Sequence, residues 1–196
     1  MAMSDSAKHK KVMTEPLRAD VLMDTLDALT RSITGLDNKQ QHMVNDWLVT
    51  WSKYLAFEGT FDPRRLVYYK RGDIVLAQFG YNVGNELGGV HYAIVVECDN
   101  NITSGIVTVV PLSSLEDGRT ESDLHKSEIW LGKIIGDVDC YAMPLQMRPI
   151  SKLRIIKPKH KAHGKMTVSG KMLDKIDEQI QRNFTKQKEN KNENET

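Results

Sequence analysis

The sequence predicts an α+β chain, mainly β: a small β-barrel preceded by a helical hairpin and followed by one C-terminal helix. Three observations predict it. Between Lys70 and Ser114, three β-type apolar runs, IVLAQF, AIVVE and IVTVVPL, are separated by turn-rich polar loops. On either side of the β-rich region, apolar residues recur at helical spacing. At 196 residues and 40% apolar content, the chain suits one domain of moderate size, or one domain with an appendage, and can bury a proper core.

The opening MAMSDSAKHKK is polar and is no signal peptide, so residues 1–13 are expected to be flexible. Thr14 is expected to cap the first helix, with Pro16 in its first turn. Leu17, Val21, Leu22, Leu26, Leu29 and Ile33 follow at helical spacing. Gly35 stops this helix and Asp37 caps the next. There Met43, Val44, Trp47, Leu48, Trp51, Tyr54 and Leu55 form a wide apolar stripe. The pair, 14–60, reads as a hairpin that must bury its stripe on the barrel, a second copy or a partner, with both tryptophans in the core.

The barrel region with its helix is 61–185. Its turns are GYNVGNELGG, CDNNITSG and IIGDVDC, and LSSLEDGRTESDLHKSE reads as a mobile loop over one mouth. Ser169 is expected to cap the last helix, which carries Met172, Leu173, Ile176, Ile180 and Phe184 on one face. The tail, 186–196, ends in QKENKNENET and is expected to be disordered.

Composition excludes several classes. With 27 basic and 26 acidic residues the net charge is +1, so polyanion binding must come from a local patch. Cys98 and Cys140 make neither a disulfide framework nor a metal site and read as core thiols of a reducing cytosol. No apolar run is long enough to cross a bilayer. There is no CxxC, HExxH, P-loop, dinucleotide fingerprint or GxSxG elbow. His160 and His163 lack a nearby carboxylate or thiol to complete a metal site. A soluble cytoplasmic protein without metal or cofactor is the expectation.

Three constellations could carry chemistry. The loop GNELGGVHYA presents Gly84, Gly88 and Gly89, flanked by Glu86 and His91; its backbone N–H groups could cradle a phosphate, or it is merely a tight turn. PLSS ends a strand in two hydroxyls, Ser113 and Ser114, which could hold a phosphate or simply cap a turn. From Arg148 to Lys171 there are eight basic residues and no acidic one, a stripe that suits a phosphate backbone or a solvated surface. Arg148, between Met147 and Pro149, is expected to be held by partners.

In order and spacing these segments resemble the MazF/PemK toxins. RGDIV opens the first strand as in that family. GNELGGVHYAIVVE is similar to its GxEQxGxRPxxV segment, VTVVPLSS to the strand ending in its site threonine, and LQMRPISKLRI to its DQxRTIxKxRL segment. The resemblance runs from Lys70 to Phe184. It implies an SH3-like barrel, a homodimer, a possible antitoxin partner, a bacterial or phage origin, and metal-independent cleavage of single-stranded RNA. In that reaction the ribose 2′-hydroxyl attacks phosphorus, giving a cyclic phosphate and a 5′-hydroxyl end. The chemistry needs a base, a cation and an acid.

By this resemblance the catalytic set is His91, Ser113 and Arg148. The RNA-binding set is Arg71, Asn85, Glu86, Gly88, Gly89, Ser114, Gln146, Lys152 and Arg154. Ser113 keeps the hydroxyl of the family threonine, and Gln146 and Arg148 match. His91 stands where the family usually has arginine, Tyr92 replaces a proline, Leu87 a glutamine and Leu145 an acidic residue. Imidazole lacks the guanidinium fork but suits acid–base work. Two readings follow: an RNA-cleaving toxin, or a catalytically impaired barrel that binds RNA or protein, with DNA binding also open. The first expects imidazole, hydroxyl and guanidinium to meet at one mouth of the barrel. The hairpin, in turn, is expected to lie near the groove that family antitoxins occupy.

Overall fold

A computed structural model describes residues 16–116 and 118–186. The flexible start, the Thr14 cap and the tail from 187 lie outside the described residues. The chain forms two compact units, Met1–Leu48 and Val49–Thr196.

The first unit holds helix α1 (Ala19–Thr34) and the start of helix α2 (Asn38–Glu58). α1 begins after Arg18, whose side chain makes no cap, so Pro16 precedes the helix instead of sitting in its first turn. Gly35 follows its last turn, and Asp37 accepts a hydrogen bond from the Gln40 backbone N–H at 2.8 Å, capping α2. The apolar stripe is not buried within the described chain. α1 buries no residue, and of α2 only Val44 is buried. Trp47 is half-buried and Trp51 is 46% exposed, against the expectation that both are core.

In the second unit Trp51 lines a groove with Tyr54, Leu55, Ile106 and Leu153. The strands are β1 (Asp73–Gly80), β2 (Gly89–Val95), β3 (Ile106–Ser114), β4 (Ile129–Ile135), β5 (Val138–Ala142), β6 (Arg148–Ser151), β7 (Ile155–Lys157) and β8 (Met166–Thr167). Helix α3 (Gly170–Phe184) follows. The sheet order is β4-β5-β3-β2-β1-β7, all antiparallel, with β6 on β3 and β8 on β1. One turn of 3-10 helix, Lys152–Arg154, carries the chain from β6 on β3 to β7 on β1 and closes the barrel.

Alternation along the strands builds two cores. Val75, Ala77 and Phe79 join Ala93, Val95, Val107 and Val109 in one, completed by Ile150 and Ile155. Ile74, Ile94, Val110 and Leu112 face the other way, onto Ile129, Leu131, Ala142 and Ile176 of α3. Both faces of the central parts of β1–β3 are therefore covered, which is why these runs are largely apolar. Ser169 caps α3 by accepting from the Met172 backbone N–H. The segment read as a mobile loop carries a turn, Glu121–Asp123, in which Thr120 and Asp123 cap each other.

Candidate functional site

β3 outruns β2, and the site lies where their ladder ends. That ladder runs from Val95↔Val109 to Ala93↔Pro111 and stops, while the opposite edge of β3 pairs first with β6 and then, from Leu112 to Ser114, with Ala142–Cys140 of β5. The strand ends diverge around a cavity of about 420 Å³. Continuing the register two residues past Ala93↔Pro111 sets His91 opposite Ser113, and both line the cavity.

The split would leave the Leu112 carbonyl without a strand partner on that side. His91 supplies one: Nδ1 lies 3.0 Å from the Leu112 oxygen. A carbonyl only accepts, so Nδ1 carries the proton and Nε2 keeps its lone pair. Ser113 is half-buried and Ser114 exposed, both on the wall. Sequence reasoning missed Tyr92, Val138 and Cys140, which also line it. Alternation along β2 and the GDVDC turn were the available signals. Burial, then the nearby Asp139, push the Cys140 thiol up, so it stays protonated. Cys98, read as a core thiol, is instead exposed just past β2.

His91 belongs to β2 itself, not to the loop before it. The loop closes on β1 by a close backbone approach. A Cβ on Gly88 would stand 2.7 Å from the Gly80 carbonyl oxygen, so only glycine fits there. Gly89 takes φ +79° beside the His91 ring.

A second cluster braces that loop. Gln146 Oε1 accepts from the Leu87 backbone N–H at 3.1 Å, and Nε2 donates to the Asn85 carbonyl at 3.0 Å. Arg148 Nη2 donates to the same Oε1 at 2.8 Å. The Arg148 guanidinium lies 5.7 Å from the Phe79 ring centre, and the His91 ring packs edge-on to Phe79 at 6.2 Å. Arg154 donates to the Phe79 carbonyl at 3.2 Å, and burial pushes its guanidinium down from the ordinary value. Glu86 is exposed at the loop tip.

The expected convergence is met for imidazole and hydroxyl only. Arg148 pairs with Val109, four residues before Ser113 on β3, which is about 13 Å along the strand. It stands beside the cavity, and among the described residues no lysine or arginine lines the wall. Arg71 is committed elsewhere, to the Val96 carbonyl and the Asp177 carboxylate of α3. Lys152 is 2% exposed, with Nζ donating to the Asn101 carbonyl at 3.0 Å. Burial pushes its ammonium down against the opposing pull of Glu97. Neither side chain is presented to a ligand in the cavity.

A MazF structure from Deinococcus radiodurans (form I) is 14% identical, covering 59% of this chain and 96% of that one at a TM-score of 0.40. A MazE–MazF structure from the same organism (form II) is 15% identical, with the same coverage and a TM-score of 0.37. No curated protein matches significantly. The sequence model for PemK-like, MazF-like toxins of type II toxin–antitoxin systems matches residues 70–184, more than half the chain and the whole of the barrel with α3. The chain belongs to that toxin family.

Proposed function

We propose that the protein is a metal-independent endoribonuclease toxin that cleaves single-stranded RNA by attack of the ribose 2′-hydroxyl on the adjacent phosphorus. The hydrogen bond from His91 Nδ1 to Leu112 carries this reading, because it leaves Nε2 as the proton acceptor of a side chain that lines the cavity together with Ser113 and Ser114. In the proposed step Nε2 takes the 2′ proton and the O2′–P bond forms as the P–O5′ bond breaks. The departing oxygen takes a proton from solvent water to become the 5′-hydroxyl, and Nε2 returns the 2′ proton to solvent. The serine hydroxyls donate to non-bridging phosphate oxygens. Arg148, braced by Gln146 beside the cavity, holds a neighbouring phosphate of the strand. A homodimer acting in the cytoplasm, with a protein antitoxin as partner, belongs to the same reading, as does a barrel unit set apart from the N-terminal helices.

Purified full-length protein, an unstructured RNA and excess EDTA test it. The reading expects fragments with 5′-hydroxyl and cyclic phosphate ends, lost in His91→Ala. Chelator-sensitive cleavage or intact RNA overturns it. One observation favours the rival, a binding module without cleavage: among the described residues no lysine or arginine lines the cavity. RNA retained intact on wild type and His91→Ala alike would establish that rival.

A further inference from the structure

A second cavity lies at the other end of β1. It measures about 610 Å³, and its lining is disjoint from that of the His91 cavity. Lys70, Lys159 and Lys161 line it, and among the described residues none of the three makes an ion pair. Arg65 and His160 add to the same rim. Lys165 alone is spent internally, on the carboxylate of Asp73, which is 3% exposed, so the nearest buried acid is already neutralised. On a chain of net charge +1 this is a local concentration of positive charge.

The walls between these cations are apolar and aromatic. Tyr68 is 40% exposed and Ile102 also faces out, while Leu66 and Val67 pack on the core beneath. The Lys70 ammonium lies 6.0 Å from the Tyr68 ring centre, so ring and cation are presented together. Cations beside an exposed aromatic face are what single-stranded nucleic acid requires: phosphates on the lysines and a base on the ring.

The register of β1 gives the spacing between the two cavities. Asp73 and Ile74 pair with β8 next to Lys165, while Ala77 pairs with His91. Asp73 and Ala77 are about 13 Å apart along the strand, and Tyr68 precedes Asp73. We propose that this second cavity is an accessory site for single-stranded RNA, taking nucleotides that flank the one held at His91. Lys70, Lys159 and Lys161 contact their phosphates and Tyr68 stacks on a base. The inference rests on RNA being the ligand of the His91 cavity.

The test uses full-length protein and 2′-O-methyl RNA, which cannot supply the attacking hydroxyl, so binding is read without cleavage. Oligomers of about 16 and about 4 nucleotides bracket short and long sites. With Lys70→Ala/Lys161→Ala, affinity for the long oligomer should fall about tenfold, and its log–log salt slope should drop by about 1.4, two phosphate contacts' worth. Binding of the short oligomer should not change. Tyr68→Ala should lose a further tenfold or so, restored by Tyr68→Phe. A long 4-thiouridine RNA should crosslink to the segment 65–70, a readout that needs no variant. Unchanged affinity and slope, equal losses on both lengths, or equal binding of poly-glutamate would overturn the proposal. If wild type binds long RNA with these losses yet never cleaves RNA, the nuclease reading fails and the accessory site stands.

Discussion

The imidazole of His91 stands in for a missing β-ladder contact: its Nδ1 meets the Leu112 carbonyl at 3.0 Å, beyond the point where β2 and β3 cease to pair. One hydrogen bond thus settles a backbone group at the split and selects the tautomer that exposes Nε2. Structure and proposed chemistry are joined in this side chain.

That double role separates two substitutions. His91→Asn can still donate to Leu112 from its amide but has no basic nitrogen, so the fold should hold while cleavage falls about 10²- to 10⁴-fold. His91→Ala should lose the same activity and also some stability, because the carbonyl is left unpaired. Comparing melting temperatures and cleavage rates of the two variants checks this; retention of cleavage by His91→Asn would remove the base role.

Gln146 should act through position, since it holds Arg148 and the backbone at Asn85 and Leu87 together. Gln146→Ala is expected to weaken RNA binding more than turnover, seen as a raised KM with a smaller change in kcat. Arg71→Ala, which unties the Val96 carbonyl just past β2 from Asp177 of α3, should lower the melting temperature and leave KM alone. A KM effect of Arg71→Ala equal to that of Gln146→Ala would contradict the placement of both.

Gly88→Ala forces a methyl group to 2.7 Å from the Gly80 carbonyl oxygen. The loop must move, at about 1–3 kcal/mol, and the Gly89–His91 start of β2 moves with it. Denaturant unfolding should show the loss. Gly84→Ala is the control: space around Gly84 is open, and its φ of +60° leaves only a backbone cost of about 1 kcal/mol or so.

Tyr69 is fully buried, and its hydroxyl donates to the Pro158 carbonyl at 2.7 Å. Burial, then Asp73, push its phenol far above the ordinary 10.0. The folded chain therefore keeps a proton that the unfolded chain loses above pH 10, and stability falls with rising pH there. At neutral pH, Tyr69→Phe should cost about 1–3 kcal/mol. It should also remove one proton's share of the alkaline slope, up to about 1.4 kcal/mol per pH unit. An alkaline arm as steep in the variant as in wild type would refute this.

Much of the site was legible in short segments. The apolar β-type runs IVLAQF and IVTVVPL marked strands, and four glycines marked a loop in which backbone approaches backbone, as Gly88 and Gly80 do. The resemblance placed His91 and Ser113 in one site, and they share a cavity. Lys152 read as one more surface cation of a basic stripe, because charge patterning along a chain does not reveal depth. It caps the Asn101 carbonyl from inside the barrel. Trp51 read as core because a helical stripe shows which face is apolar, never what covers it.

What the sequence by itself determined was local: strand alternation that covers both faces of β1–β3, the Asp37 and Ser169 caps, and the family to which 70–184 belongs. Only the tertiary structure decided which side chains meet. β3 keeps β5 on one edge from Leu112 to Ser114 after its ladder with β2 on the other edge has ended at Pro111, and the cavity lies at that end. The same strand sets Arg148 against Val109, away from Ser113. Periodicity carries the face of a residue, whereas register and partner are fixed by long-range packing that no local pattern encodes.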